Sequence, residues 1–132
     1  MIEESNLFIV DRNTSSRKAL ARLIRAAGFN MQSFEFLKEF FDEVVKDSSG
    51  CLLLDLDLVE MPIEEMKTIL EQHYTNLLVF VISSDDKQEI KEKAIKINAK
   101  EYFRKPVDGK ALIDSINWAL KTKSHNQNAS NI

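Results

Sequence analysis

Three short stretches of unbroken apolar residues, each stopped by a polar one, constrain this chain more than any other feature. They are Leu7-Phe-Ile-Val10 before Asp11, Cys51-Leu-Leu-Leu54 before Asp55, and Leu77-Leu-Val-Phe-Val-Ile82 before Ser83. A strand with one wet face alternates apolar and polar residues, whereas a run without alternation needs cover on both faces, as in the middle of a parallel sheet. Weaker strands are expected at Asn30–Phe34, after Gly28, and at Glu101–Arg104, before Pro106.

Between these runs the apolar period lengthens to that of a helix. Leu20, Leu23, Ile24 and Ala27 share one face, with Asn13, Thr14 or Ser15 as N-cap and Gly28 as stop. Leu37, Phe40, Phe41, Val44 and Val45 repeat the pattern, as do Met66, Ile69, Leu70 and His73. Ile90, Ala94 and Ile97 make a narrower stripe, and Leu112, Ile113, Ile116, Ala119 and Leu120 the last one, capped by Asp108. Strand and helix alternate five times, which predicts an α/β fold: a five-stranded parallel sheet in the order 2-1-3-4-5 with five helices on both faces, flavodoxin-like.

Composition narrows the class. A chain of 132 residues with 30% charged residues suits one soluble domain. No apolar run approaches the ~20 residues that cross a bilayer, so no membrane contact is expected. One cysteine allows no internal disulfide and suits the reducing cytoplasm. Lys plus Arg (18) against Asp plus Glu (21) leaves −3, which argues against a general nucleic-acid surface. Residues 124–132 are polar and aperiodic, so the chain divides into a domain over 1–122 and a flexible tail, or the start of a linker, over 123–132.

In open α/β sheets ligands collect beyond the carboxyl ends of the strands. Asp11, Asp55, Ser83 and Lys105 stand at four such ends and are expected to converge. Two carboxylates can hold a hard cation such as Mg²⁺, a lysine can neutralise a phosphoryl group, a serine hydroxyl can donate to it, and a strand-end aspartate is a competent nucleophile toward phosphorus. Singly, each is better read as a polar residue capping a strand; four at matching ends favour a site.

With these residues in place, the sequence resembles the receiver domain of two-component response regulators over residues 6 to about 121. The resemblance lies in Leu7-Phe-Ile-Val-Asp11, Cys51-Leu-Leu-Leu-Asp55-Leu-Asp57, Val79-Phe-Val-Ile-Ser83-Ser84 and Ala99-Lys-Glu-Tyr-Phe-Arg-Lys105-Pro106. Gly28-Phe29 and Phe34 to Phe41 are similar to the branch often fused to helix-turn-helix DNA binders. The resemblance implies phosphorelay signalling rather than enzymatic turnover, with Asp55 accepting a phosphoryl group from a histidine kinase or phosphotransfer protein. It further implies that Asp11, Asp55 and the backbone carbonyl of Asp57 hold Mg²⁺. Lys105 would pair with the phosphoryl oxygens beside a cis bond to Pro106. Ser83 and Tyr102 would act as the switch, altering a face of helix four, strand five and helix five that meets a downstream protein or a second copy.

The departures from that pattern carry as much weight. Arg12 stands where the family usually has a second acid, the direct metal ligand. A +1 and a +2 charge at ~5 Å and an effective dielectric of ~20 repel by roughly 6–7 kcal/mol, less if the arginine turns to solvent. Weakened Mg²⁺ binding is expected, or a guanidinium paired with Asp55 in place of the cation. Asp57 either lends the carboxylate that Arg12 removed or forms a salt bridge to Arg12. Leu58-Val59 replaces the usual Met-Pro, Ile63 the usual glycine, and Ser84 a smaller residue, which narrows access to Asp55.

The other candidates read as scaffold. His73 is a packed or rim histidine, His125 lacks ligand neighbours, and Cys51 is a small core residue. Phe34, Phe36, Phe40, Phe41 and Trp118 have core spacing, and Lys91, Lys93, Lys96 and Lys100 form a solvated face. Three functions therefore compete. They are a phosphate-accepting receiver, a pseudo-receiver that works through protein contacts without phosphate, and, because Asp55-Leu-Asp57 also looks like the opening motif of haloacid-dehalogenase-type enzymes, a phosphatase.

Overall fold

The computed structural model describes residues 6–57 and 59–130. Strands and helices alternate as Asn6–Val10 (β1), Thr14–Ala26 (α1), Asn30–Phe34 (β2), Leu37–Glu43 (α2), Gly50–Asp55 (β3), Ile63–His73 (α3), Leu77–Ser83 (β4), Gln88–Lys96 (α4), Glu101–Arg104 (β5) and Gly109–Ser130 (α5). All neighbouring strands pair in parallel, in the order β2-β1-β3-β4-β5. The expected architecture is the one observed.

The unbroken apolar runs are the central strands. Every residue of β3 and β4 is buried, whereas β2 and β5 at the edges are partly open. Alternate residues feed two cores. Leu7, Ile9, Cys51, Leu53, Phe80 and Ile82 face α1 and α5, where Leu20, Ile24, Leu112 and Ile116 close the layer. Phe8, Val10, Leu52, Leu54, Val79 and Val81 face α2, α3 and α4. Phe40 is the hub of this second core, with ring centroids 5.5 Å from Phe8, 5.8 Å from Phe34, 5.5 Å from Phe41 and 5.3 Å from Tyr74. The Tyr74 hydroxyl is satisfied by donating to the Val44 carbonyl at 2.8 Å, which ties the segment after α3 to the end of α2.

Local signals set the boundaries. Asn13 is the cap of α1, accepting from the Ser16 amide at 2.9 Å, and Asp108 accepts from the Ala111 amide at 3.1 Å at the start of α5. Gly50 has φ +129 and opens β3 opposite Asn6, where a Cβ would run into the Asn6 carbonyl. No helix of the described residues is long and apolar enough to cross a membrane.

Three periodicity assignments need correction. Ala27 is exposed because α1 ends at Ala26 and Gly28 turns the chain with φ +93. Val45 is 77% exposed: Val44 has extended backbone at the end of α2, so the helical face is lost one residue before it. Trp118, read as core from its spacing, is 70% exposed, since Leu112 and Ile116 already fill the inner face of α5. The backbone of 124–130 continues α5, where polar composition suggested an irregular tail; residues 131–132 lie outside the described residues.

Candidate functional site

Because β1, β3 and β4 are adjacent and parallel, the residues ending their apolar runs lie side by side. Asp11, Asp55 and Ser83 are the buried polar residues of the described chain, at 1%, 8% and 0% exposure. β5 pairs with β4 from Phe80–Glu101 to Ser83–Arg104, which brings Lys105 to the same edge, and the Lys105 amide donates to the Ser83 carbonyl at 2.8 Å. The Lys105–Pro106 bond is cis. Lys105 reaches across the strand ends: its Nζ donates to Asp55 Oδ2 and lies 3.0 Å from Asp11 Oδ2. Two buried carboxylates thus share one ammonium, the arrangement that makes their burial tolerable.

Hydrogen bonds fix the orientation of each acid. Asp11 Oδ1 accepts from the Asn13 amide at 2.9 Å, and its backbone carbonyl accepts from Arg17 Nη1 at 2.7 Å. Asp55 Oδ1 accepts from the Asp57 amide at 2.7 Å. Burial pushes the Asp55 carboxyl up, Lys105 and the Asp57 amide pull it down and Asp11 adds to the rise, for a value of about 6. The rise shows that Lys105 does not fully offset the burial of two neighbouring carboxylates. Burial alone would lower the Lys105 ammonium, but Asp55 and Asp11 more than offset it, so the lysine stays charged.

Asp11 Oδ2 is buried, and its cationic neighbour is the Lys105 ammonium at 3.0 Å. That oxygen, beside the Asp55 carboxylate, suits a hard cation. The donor set is nonetheless thin. Among the described residues no group of three or more acidic, histidine or cysteine side chains could hold a metal ion.

The residues that depart from the family pattern lie differently from expectation. Arg12 is exposed and its guanidinium carbon sits 4.9 Å from the Phe36 ring centroid. The cation paired with Asp55 is Lys105, not Arg12, because a lysine at the β5 end reaches straight across the strand edge while Arg12 is held over Phe36 on the rim. Asp57 neither turns its carboxylate to the metal position nor relies on Arg12. Its Oδ1 accepts from the Ser83 hydroxyl, and its Oδ2 accepts from the Ser84 amide at 2.9 Å and the Ser84 hydroxyl at 2.6 Å. Burial pushes the Asp57 carboxyl up, and the Ser83 and Ser84 hydrogen bonds together with Lys105 outweigh it, leaving it below the usual carboxylate range. Leu58 lies outside the described residues.

Tyr102 joins the site at one remove. It packs against the Phe40 core, and its hydroxyl donates to the Asp85 carbonyl, while the Asp85 amide donates to Ser83 Oγ at 2.9 Å. The roles of Ser84, Asp85 and Arg17 in this network were not foreseen. Ser84 was legible only as bulk beside the switch hydroxyl, and no spacing rule points Arg17 at a carbonyl six residues back.

A parallel 2-1-3-4-5 sheet with two acids and a lysine at its carboxyl edge is the arrangement of a receiver. The sequence profile of the response regulator receiver domain matches residues 7–117, and the chain belongs to that family. Among curated relatives, response regulator protein TmoT of Ectopseudomonas mendocina is 30% identical over 119 residues, covering 90% of this chain and 54% of the relative. Transcriptional regulatory protein TdiR of Thauera aromatica is 26% identical over 116 residues, covering 88% of this chain and 51% of the relative. The chain thus spans about half the length of the curated relatives it matches. The solved structure of response regulator StyR is 26% identical with a TM-score of 0.80, over 98% of this chain and 65% of that one. A CheY-like receiver from Methanospirillum hungatei JF-1 shares the fold at 16% identity, with a TM-score of 0.82 over 94% of this chain and 99% of its own. Response regulators are a non-enzymatic signalling family, and their receivers serve phosphorelays with histidine kinase partners and downstream effectors.

Proposed function

We propose that this chain accepts a phosphoryl group on Asp55. A carboxylate oxygen of Asp55 attacks phosphorus, forming the acyl phosphate as the bond from phosphorus to the donor histidine nitrogen breaks, and the imidazole leaves with the electron pair. The observation that carries this reading is Lys105, whose ammonium touches both Asp55 and Asp11 and is placed to follow the new negative charge onto the phosphoryl oxygens. Mg²⁺, when bound, would supply further positive charge against those oxygens, with Asp11, Asp55 and the backbone carbonyl of Asp57 to hold it. With Arg12 where an acid would strengthen the set, its affinity is weakened.

The phosphoprotein would signal through Ser83 and Tyr102. Both touch Asp85, so a shift of the Ser83 hydroxyl reaches the face formed by α4, β5 and α5 through one residue. That face would meet a downstream protein or a second copy, in a cytoplasm where buried Cys51 stays reduced. Direct contact with nucleic acid or membrane is not part of this reading. Acetyl phosphate with Mg²⁺ should add the mass of one phosphoryl group to the wild-type chain and none to Asp55→Ala.

One observation favours the second reading, a pseudo-receiver working through protein contacts alone: Lys105 already pairs with both acids, and the switch hydroxyl already has a carboxylate partner. Failure of saturating acetyl phosphate to modify the folded chain would select it. A phosphatase would need Asp57 facing a substrate on Asp55, but its oxygens are spent on Ser83 and Ser84.

A further inference from the structure

Asp57 links the ends of β3 and β4 through its own amide and carboxylate. Its amide donates to Asp55 Oδ1 at 2.7 Å, which pins the start of the loop after β3 to the acceptor. Its carboxylate reaches the other way, to the end of β4, and takes the Ser83 hydroxyl, the Ser84 amide and the Ser84 hydroxyl. Three donors on two oxygens of one half-buried side chain form a clamp rather than a chance surface contact. An oxyanion attached to Asp55 would call on donors from this same stretch, because β3 and β4 are adjacent and Asp55 is in register with Ile82, one residue before Ser83.

We infer that the Asp57 carboxylate is a built-in ligand of the switch edge. In the unmodified chain it holds the donors that a phosphoryl group on Asp55 would use, so phosphorylation has to displace it. The hold extends further. Ser83 Oγ accepts from the Asp85 amide at 2.9 Å, and the Asp85 carbonyl accepts from Tyr102, so the clamp, the loop before α4 and the switch tyrosine form one hydrogen-bonded series. Asp57 thereby sets the resting position of Tyr102 without any phosphate. The competition with phosphate rests on Asp55 as acceptor; the clamp does not.

The test uses the full chain without a phosphate donor. Amide hydrogen exchange at Ser84 is followed by NMR in the wild type, in Asp57→Ala and in the near-isosteric Asp57→Asn, with thermal melts to show that each variant is folded. Loss of the carboxylate should speed Ser84 exchange about tenfold and shift the Tyr102 ring resonances, with Asp57→Asn between the two. Unchanged exchange at Ser84 in folded Asp57→Ala would overturn the clamp. Acetyl phosphate and Mg²⁺ are then added. Faster modification of Asp57→Ala than of wild type supports displacement, and equal rates overturn it. No modification of any variant, with Ser84 still responding, would sink Asp55 as acceptor while the clamp stands.

Discussion

Phe40 and Lys105 each gather partners from several elements, but they do so by opposite physics. Phe40 is fully buried among Phe8, Phe34, Phe41 and Tyr74, and most of its gain is apolar surface taken out of water, which demands no single direction of contact. Lys105 brings a charge to two buried carboxylates at the sheet's carboxyl edge, where each charge is tolerable only while the others are present. The first region holds the fold together. The second is held in place by the fold, which keeps two carboxylates and one ammonium buried together at the sheet edge.

The difference can be broken from either side. Phe40→Ala should be the most damaging change, lowering unfolding free energy by about 3–5 kcal/mol in urea titrations, nearly independent of pH, because it removes a ring and leaves a cavity. Lys105→Ala should cost about 2–4 kcal/mol at pH 7, since it strands Asp11 and Asp55 without a cation. That loss should shrink at acid pH, where the Asp55 carboxyl takes up a proton. A Lys105→Ala defect as insensitive to pH as that of Phe40→Ala would show that the lysine acts by packing.

Cys51 sharpens the contrast, as an ionisable group that behaves as core. Burial pushes its thiol up to about 12 from 9.0, with Lys123 pulling weakly the other way. The unfolded chain therefore releases this proton first, so stability present below pH 9 is lost as pH rises toward 12. Cys51→Ala should flatten that alkaline decline, and a thiol reagent at pH 8 should react only on unfolding. The smallest effect is expected at Arg12: Arg12→Ala should change stability by about 0.5 kcal/mol, the worth of an exposed cation–π contact. Arg12→Asp should instead tighten Mg²⁺ in a metal titration, and no change would mean that the side chain over Phe36 does not reach the cation's field.

Much of this was legible beforehand, for identifiable reasons. The strands β1, β3 and β4 announce themselves because burial on both faces abolishes alternation, and Asp11, Asp55, Ser83 and Lys105 could be placed together because parallel strands must end at one edge. Val45, Ala27 and Trp118 were misplaced because apolar spacing cannot tell where a helix stops or when its inner face is full. Arg12 and Asp57 were harder still, since a long or mobile side chain chooses among partners that only the folded chain assembles.

By itself, then, the order of residues determined the layered sheet, its two cores and the edge at which the polar residues meet, because hydrophobic burial and strand–helix alternation act over short stretches. Tertiary structure alone decided that Lys105 would pair with both acids, that Arg12 would lie on Phe36, and that Asp57 would grip Ser83 and Ser84. Those choices depend on direction and on short distances between groups that lie as far apart in sequence as Asp11 and Lys105, where only the folded geometry fixes which partner is nearest.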